Sequence, residues 1–551
     1  MAINNQKNDD EIFQECIKFH QLGKLNDAKK GFEYLISKYP NSPDLLNSLG
    51  TLHLQLGNEN NGISLLKKSL EINPNQPIVS FNLASSYENQ KNYSKALDFF
   101  DMTISKAPKY FEAYKKKGEL LTNLKNHKEA LGCFEDAIKL VPEDKSILNG
   151  IGVNYLELGD ANNALKFFRK CINFDNTIAI FYNNAGLAEY KINAFQKSIE
   201  SFNEAIRLSP NTAYFYSNRG LSYQALNKFT FAIEDFDKSI SIDPNYPDAY
   251  WNKSLINLYL GNYAEGWKLY EYRWQSFAKK WARSYSKNLW LGKESLKDKI
   301  IYIYPEQGHG DFIHCYRYVQ LLKNLKPKKI ILEVTEPFFE LISVQDEDIE
   351  VVKLDKKTPK FDFYCPIMSL PYAFKTDLSN IPIKNSYLSL NSLNELKDKF
   401  NDSDKFKIGI CWAGNPQHKN DHNRSMEIDD MLSLFSMPFE FHSLQKQINL
   451  KNEKILIGYN IVDHHKKIDN FSDAATLVNM MDIVITVDTV IAHLAGALGK
   501  KTFLLLPDKS SFLWMGERSD SPWYPTLKIF RQKTLGDWKT PIQNIVEELK
   551  T

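Results

Sequence analysis

Paired cysteines, long apolar runs and net charge are all scarce in this sequence of 551 residues. The six cysteines, Cys16, Cys133, Cys171, Cys315, Cys365 and Cys411, include no CxxC pair. That excludes a zinc ribbon or a dense disulfide framework and suits a reducing compartment. No stretch approaches the ~18 apolar residues that a transmembrane helix needs. The opening residues, MAINNQKNDDE, lack the basic and apolar regions of a signal peptide, so a cytoplasmic location is expected. The formal net charge of +2 gives no global pull toward nucleic acid or an anionic membrane. With 43% hydrophobic residues the chain is ordinary for a globular protein and too long for a single core.

What the sequence does have is a period of 34 residues over its first half. Pro40, Pro74, Pro108, Pro142, Pro210 and Pro244 fall on one grid, with Asn176 in the vacant slot. Phe32, Phe100, Phe134, Phe168, Phe202 and Phe236 fall on a second, with Leu66 in its gap. Ala28, Ala96, Ala130, Ala164 and Ala232 form a third, and Gly50, Gly118, Gly152, Gly186 and Gly220 a fourth, with Ala84 between them. Each class has a physical task. The small residues let two helices approach, the phenylalanine fills space between hairpins, and the proline ends the second helix and opens the next turn. One hairpin cannot bury its apolar face alone, whereas stacked neighbours can. The pattern resembles the tetratricopeptide repeat family, in seven to eight repeats over 10–274 after a polar tail at 1–9. The altered eighth repeat, Tyr250-Trp251 and then GNYAEGWKLYEYRW at 261–274, carries extra aromatics and is expected to dock on the next domain.

Asn82, Asn184, Asn218 and Asn252 also share the 34-residue period, on the first helix of their repeats, and Ser48, Lys116 and Gly150 interrupt the series. An amide can donate to and accept from an extended peptide backbone. The series resembles the asparagine ladder of the O-linked N-acetylglucosamine transferases. It could equally reflect the high asparagine content of the chain. The stretch 275–299, with Lys279, Lys280, Arg283, Lys287, Lys293, Lys297 and Lys299, reads as a solvated linker helix. The other reading of these cations is a patch for phosphate or for peripheral membrane contact.

From residue 299 onward short apolar runs alternate with amphipathic stretches. Strands are predicted at 299–305, 328–334, 349–354, 361–366, 406–412, 438–444, 482–487 and 501–507, with helices near 311–324 and 336–343 and a polar break at 391–405. The alternation implies two doubly wound parallel sheets, 300–395 and 396–551, with ligands beyond the carboxyl ends of the strands. Three segments sit at such ends. In PEQGHGDFIH (305–314), Gly308 and Gly310 allow close backbone approach, and Asp311 opens a helix, either as its cap or facing the cleft. In CWAGNPQHKNDHNRSM (411–426), Lys419 and Arg424 suit a diphosphate. His418 and His422 lack a third ligand nearby, so no metal is assigned. In VITVDTVIAHLAGALGKKTFLLLP (484–507), Asp488 and Thr489 precede a small-residue helix whose N-terminus favours an anion, with His493 one turn in.

Together EQGHGD, WAGNPQHKNDHNRS, FSDAATLVNMMDIVITVDTVIAHLAGALGK and DSPWYPTLKIFRQKTLGDW resemble the heptosyltransferase-like glycosyltransferase family 9, in its tetratricopeptide-fused form. The resemblance implies two Rossmann-like halves in a GT-B arrangement, with the final helix, 540–550, crossing back onto the first half. It implies Asp311 as the base beside the acceptor hydroxyl. It implies Lys419, Arg424, Asp488, Thr489 and His493 around a nucleotide diphosphate, with Gln445 a weaker candidate near the nucleoside. His309 stands where leucine is more usual and Lys501 where proline is. The expected activity is inverting, metal-independent sugar transfer from a nucleotide-diphosphate sugar, a co-substrate rather than a cofactor, to a protein or surface-glycan precursor presented by the solenoid. A scaffold with a degenerate α/β region and an epimerase-type enzyme are the alternatives. Asp346 and Asp348, the nearest Asp-x-Asp, read as a solvated loop.

Overall fold

The computed structural model describes residues 8–354, 357–382, 385–390, 399–400, 404–418 and 420–550. The chain divides into two compact units, Met1–Phe231 and Ala232–Thr551. The division therefore falls inside the repeats rather than after residue 274.

The first unit is a succession of helical hairpins with the period read from the sequence. First helices begin at Pro43, Pro77, Phe111, Lys145, Ala179 and Ala213, and second helices at Leu25, Glu59, Tyr93, His127, Ala161 and Phe195. The glycine and phenylalanine grids turn out to be one contact. A Cβ on Gly152 would lie 2.5 Å from the Phe168 ring, and one on Gly186 would lie 2.8 Å from the Phe202 ring. The phenylalanine occupies the space that the glycine leaves within its own hairpin, and Phe134 also reaches Gly150 of the following repeat. These rings and the Ala130, Ala164 and Ala188 methyls are fully or almost fully buried. The sequence placed Phe between hairpins, and the structure adds this contact inside the hairpins of Gly118, Gly152 and Gly186.

The second unit carries the last hairpin, Pro247–Tyr259 and Tyr263–Tyr270, and two parallel sheets. The first sheet holds β1 (Asn288–Leu289), β2 (Ile300–Tyr304), β3 (Lys329–Val334), β4 (Ile349–Lys353) and β5 (Phe363–Pro366), in the order β1-β5-β2-β3-β4. The second holds β6 (Lys407–Cys411), β7 (Glu440–Ser443), β8 (Val462–Asp463), β9 (Ile483–Val487), β10 (Lys501–Leu506) and β11 (Leu527–Arg531), in the order β11-β10-β9-β6-β7-β8. Counted along the chain, this second order is 3-2-1-4-5-6, the doubly wound arrangement with its crevice where the order reverses, between β6 and β9. Apolar clusters cover both of its faces.

The expectation of a linker at 275–299 does not hold. This stretch contains no α-helix; it supplies β1, buries Trp290 and Leu296, and pairs Arg283 with Glu333 on β3. The final helix, Lys539–Lys550, packs through Ile542, Ile545 and Val546 onto the second sheet rather than crossing to the first. Its apolar face matches the β10–β11 side, where Phe503 and Phe530 lie. Of the polar break at 391–405, only 399–400 and 404–405 are among the described residues.

The aromatic hairpin does dock on the α/β core. Tyr263, Trp267 and Tyr270 are buried in one cluster with residues of the first sheet and with Trp514 and Trp523. Arg273, fully buried, comes just after it. All five of its N–H groups are used: two toward Glu306 at 2.8 and 2.7 Å, and one each toward Ser369 Oγ, Glu271 and the Tyr270 carbonyl. Glu306 and Ser369 lie just past β2 and β5, where the order of the first sheet reverses. Arg273 therefore fills the crevice in which a ligand of that sheet would sit. Arg273→Ala is expected to destabilise the second unit by about 3–5 kcal/mol, because buried Glu306 and half-buried Glu271 are left without their cation. Replacing Arg273, Glu306 and Glu271 together by apolar side chains of similar size should recover much of that loss. Denaturant unfolding of the full chain checks both outcomes.

Candidate functional site

A cavity of about 1210 Å³ opens beyond the carboxyl ends of both sheets. Gln307, Gly308, His309, Gly310 and Asp311, which come after β2, line one wall. Across it lie Ala413, Gly414, His418 and Arg424 after β6, Leu444 to Gln447 after β7, and Asp488 to Ile491 with His493 after β9. The β6 and β9 segments flank the reversal point of the second sheet, which is open where that of the first is filled.

Asp311 stands in the first turn of helix His309–Leu321 and accepts the Gly308 N–H at 3.0 Å. The N-cap is Gly308 rather than Asp311, and the half-buried Asp311 carboxylate bonds back to it from the first turn while also lining the cavity. Burial chiefly, and then the carboxylates of Asp488 and Glu306, push its pKa up to about 6, against the pull of the Gly308 N–H and Arg424. Asp488 is raised in the same direction by burial, opposed by the Trp514 indole and by Arg424.

Arg424 ties the polar loop to the second sheet. Its Nε donates to Asp421 at 3.1 Å and its Nη1 to the Asp488 carbonyl at 3.1 Å. Gly414 lies against its guanidinium. Thr489 caps helix Val490–Ala497 through the Ile491 N–H at 3.3 Å. Gln445 uses its amide oxygen to hold the loop, accepting from Ala413 N–H at 3.1 Å. Lys419 lies outside the described residues. His493 is buried and held neutral, its pKa pushed down to about 3 by burial and then by Arg317 and Arg424. It also fixes how closely the two walls approach: a Cβ on Gly310 would lie 2.6 Å from its ring. His309 meets the stacked rings of Phe338 and Phe471 edge-on, at 5.3 and 5.2 Å.

The asparagine series lies elsewhere. Asn82 donates to Thr51, and Asn218, Asn183, Asn184 and Asn149 form an unbroken chain of amide bonds of 2.9, 3.1 and 2.9 Å. Asn82, Asn184 and Asn218 each spend a donor on the preceding repeat, which the period alone could not reveal. Asn252, in the second unit, is half-buried. The Asp-x-Asp pair is not among the residues that line the cavity; Asp346 and Asp348 both pair with Lys323, at 2.9 and 2.7 Å.

Sequence reasoning missed Lys509, Ser510 and Ser511, which line the cavity after β10. Arg531 shapes their loop, donating to Ser510 Oγ at 2.7 Å and to the Met515 carbonyl at 3.1 Å. Their position just past a strand's carboxyl end was the available signal. Tyr524, 2.9 Å from His493, was also missed, because nothing in a sequence marks a contact 31 residues away.

Gly310→Ala is expected to cost about 1–3 kcal/mol by overpacking against His493, more than the gain in helix propensity returns, as a lowered Tm would show. Asp311 titrates in the opposite sense from a salt-bridged carboxylate. Its folded pKa of about 6 lies above its ordinary 3.8. Its contribution to stability is therefore full below pH ~4 and lost as the pH rises through ~6. Asp311→Asn should unfold at higher temperature than the wild type at pH 8, by about 1–2 kcal/mol in stability, and the gap should close toward pH 4.

Residues 16–42, 43–76, 79–110, 146–177 and 213–246 match tetratricopeptide repeat families, and 186–227 matches a TPR repeat family. Among solved structures, the chain is similar to YrrB, described as a TPR protein with an unusual peptide-binding site, at 22% identity over 34% of this chain and 98% of that one, TM-score 0.31. It is similar to a tetratricopeptide repeat protein from Parabacteroides merdae at 20% identity over 45% and 98%, TM-score 0.35. It is similar to MamA from Desulfovibrio magneticus RS-1 at 20% identity over 30% and 95%, TM-score 0.30. No curated protein matches. The first half of the chain is thus built of tetratricopeptide repeats, a scaffold suited to binding peptides and proteins, and it is followed by a region of two parallel sheets.

Proposed function

We propose that the second unit is a glycosyltransferase that moves a sugar from a nucleotide-diphosphate sugar to an acceptor bound by the repeats. The observation that carries this reading is one cavity with two unlike walls: a carboxylate raised to about 6 on one side, and a cation with a helix N-terminus at the other sheet's reversal point. Two parallel sheets facing such a cleft fit a GT-B enzyme. Rupture of a glycosyl–phosphate bond builds negative charge on the diphosphate. In this reading Arg424 and the first turn of helix Val490–Ala497 stabilise it. Asp311, ionised at neutral pH and close to its proton-transfer optimum, takes the acceptor's proton. Protein cations then do the charge work at the leaving group, with no cofactor beyond the co-substrate.

The test is donor binding and turnover by the full chain with a panel of nucleotide sugars. The wild type should bind at least one, and Arg424→Ala should weaken that binding about tenfold or more. Asp311→Asn should retain donor binding while kcat falls by about 10²–10⁴. The wild-type rate should decline as the pH drops below ~6. Normal turnover by Asp311→Asn would remove the proposed base. Failure of the wild type to bind any nucleotide sugar would overturn the reading and leave a non-catalytic scaffold.

A further inference from the structure

Behind the cavity wall lies a chain of hydrogen bonds whose direction can be worked out. The Tyr524 hydroxyl is 2.9 Å from His493 Nδ1 and 3.5 Å from both His314 Nδ1 and the Tyr387 hydroxyl. Tyr387 has a better acceptor for its own proton, the Ile313 carbonyl at 3.0 Å, and accepts from Arg317 at 3.2 Å. Its longer approach therefore does not set the Tyr524 proton. His314 is fully buried, and its Nε2 has no hydrogen-bond partner among the described residues. Stranding an N–H there costs more than stranding a lone pair, as the rarity of orphaned buried N–H groups shows. The His314 proton therefore belongs on Nδ1, where its neighbour is the Tyr524 oxygen. The Tyr524 proton is then directed to His493 Nδ1, the shorter contact. A neutral imidazole that accepts at Nδ1 carries its own proton on Nε2.

That nitrogen is on the cavity side. Nε2 lies 3.1 Å from where a Cβ on Gly310 would be, and both residues line the cavity. Arg317 donates to the Trp523 carbonyl at 2.7 Å and lies over the Tyr524 ring, 4.7 Å from its centroid, which locks the segment in place. We infer that Tyr524 fixes His493 as its Nε2–H tautomer, so that the cavity is offered a neutral hydrogen-bond donor beside the Arg424 cation. Tyr524 is a positioning residue, acting on the ligand only through His493. The donor suits an anionic oxygen, which is a diphosphate oxygen if the function proposed above holds. The inference rests on that reading for the identity of the acceptor and not for the tautomer. Burial and the two neighbouring arginines keep the ring neutral, which removes the imidazolium as a competing state.

The experiment is nitrogen NMR of the full chain carrying 15N-labelled histidine, with the His493 signals identified by their loss in His493→Gln. Wild-type His493 should show a protonated Nε2 and a bare Nδ1 at pH 7. Tyr524→Phe, which keeps the ring and removes the hydroxyl, should leave Nδ1 bare and without its donor, moving the Nδ1 signal toward that of an imidazole nitrogen with no hydrogen bond. A wild-type ring protonated on Nδ1, or an Nδ1 signal that Tyr524→Phe leaves unmoved, would overturn the inference, and the first of these needs no variant to fold. Inorganic pyrophosphate is the probe for the second arm. It should shift the wild-type Nε2 signal, with affinity about tenfold lower in Tyr524→Phe. If the tautomer is as inferred but pyrophosphate leaves Nε2 unmoved, the diphosphate reading of the cavity fails while the role of Tyr524 stands.

Discussion

The buried guanidinium of Arg273 organises the second unit. A charge this deep is tolerated only when each of its donors is met, and here Glu306, Ser369, Glu271 and a carbonyl meet all five. The partners come from the end of the last repeat and from the carboxyl ends of two strands of the first sheet. That single requirement fixes the repeat's aromatic end against the sheet and sets the path of the backbone at Glu306. Five residues further on the chain reaches Asp311. The Tyr270 hydroxyl adds a bond to Gln307, a residue held at φ 60° immediately before Gly308. The geometry of the candidate base therefore begins in the repeat and not in the sheet that carries it.

The same interaction explains why the two reversal points differ. In the first sheet the crevice is occupied by the Arg273 side chain. In the second, Arg424 joins the segment after β6 to the Asp488 carbonyl, and the space beyond is open. The contact of Gly310 with His493 then sets the separation of the walls. The cavity brings the Asp311 carboxylate of one half opposite Arg424 and a helix terminus of the other, the arrangement on which the proposed transfer rests.

The sequence was most informative where a single physical rule dominates. Proline, glycine and phenylalanine at a period of 34 residues mark hairpins because each has one local task, and the hairpins are found in that register. Strands of five or six apolar residues were also legible. The short strands β1 and β8 were not, since two residues carry no period, and β11 was hidden in a segment rich in turns and aromatics. Asp311, Arg424, Gln445, Asp488, Thr489 and His493 do converge on one cavity, because each comes just after a strand's carboxyl end. What could not be read were pairings decided by tertiary neighbours: Arg273 with Glu306, the amide chain from Asn149 to Asn218, and Tyr524 with His493. The basic stretch 275–299 misled for the same reason. Its lysines face solvent, while Trp290 and Leu296 between them belong to the core.

Everything proposed for the second unit depends on the open reversal point of its second sheet holding a nucleotide diphosphate opposite Asp311. A crystal structure of the full chain grown with a mixture of nucleotide sugars tests this most directly. Density is expected for a diphosphate between Arg424 and the first turn of helix Val490–Ala497, with the sugar directed toward Asp311. Density for the nucleotide sugar bound anywhere else, or its diphosphate turned away from Arg424 and that helix, would contradict it.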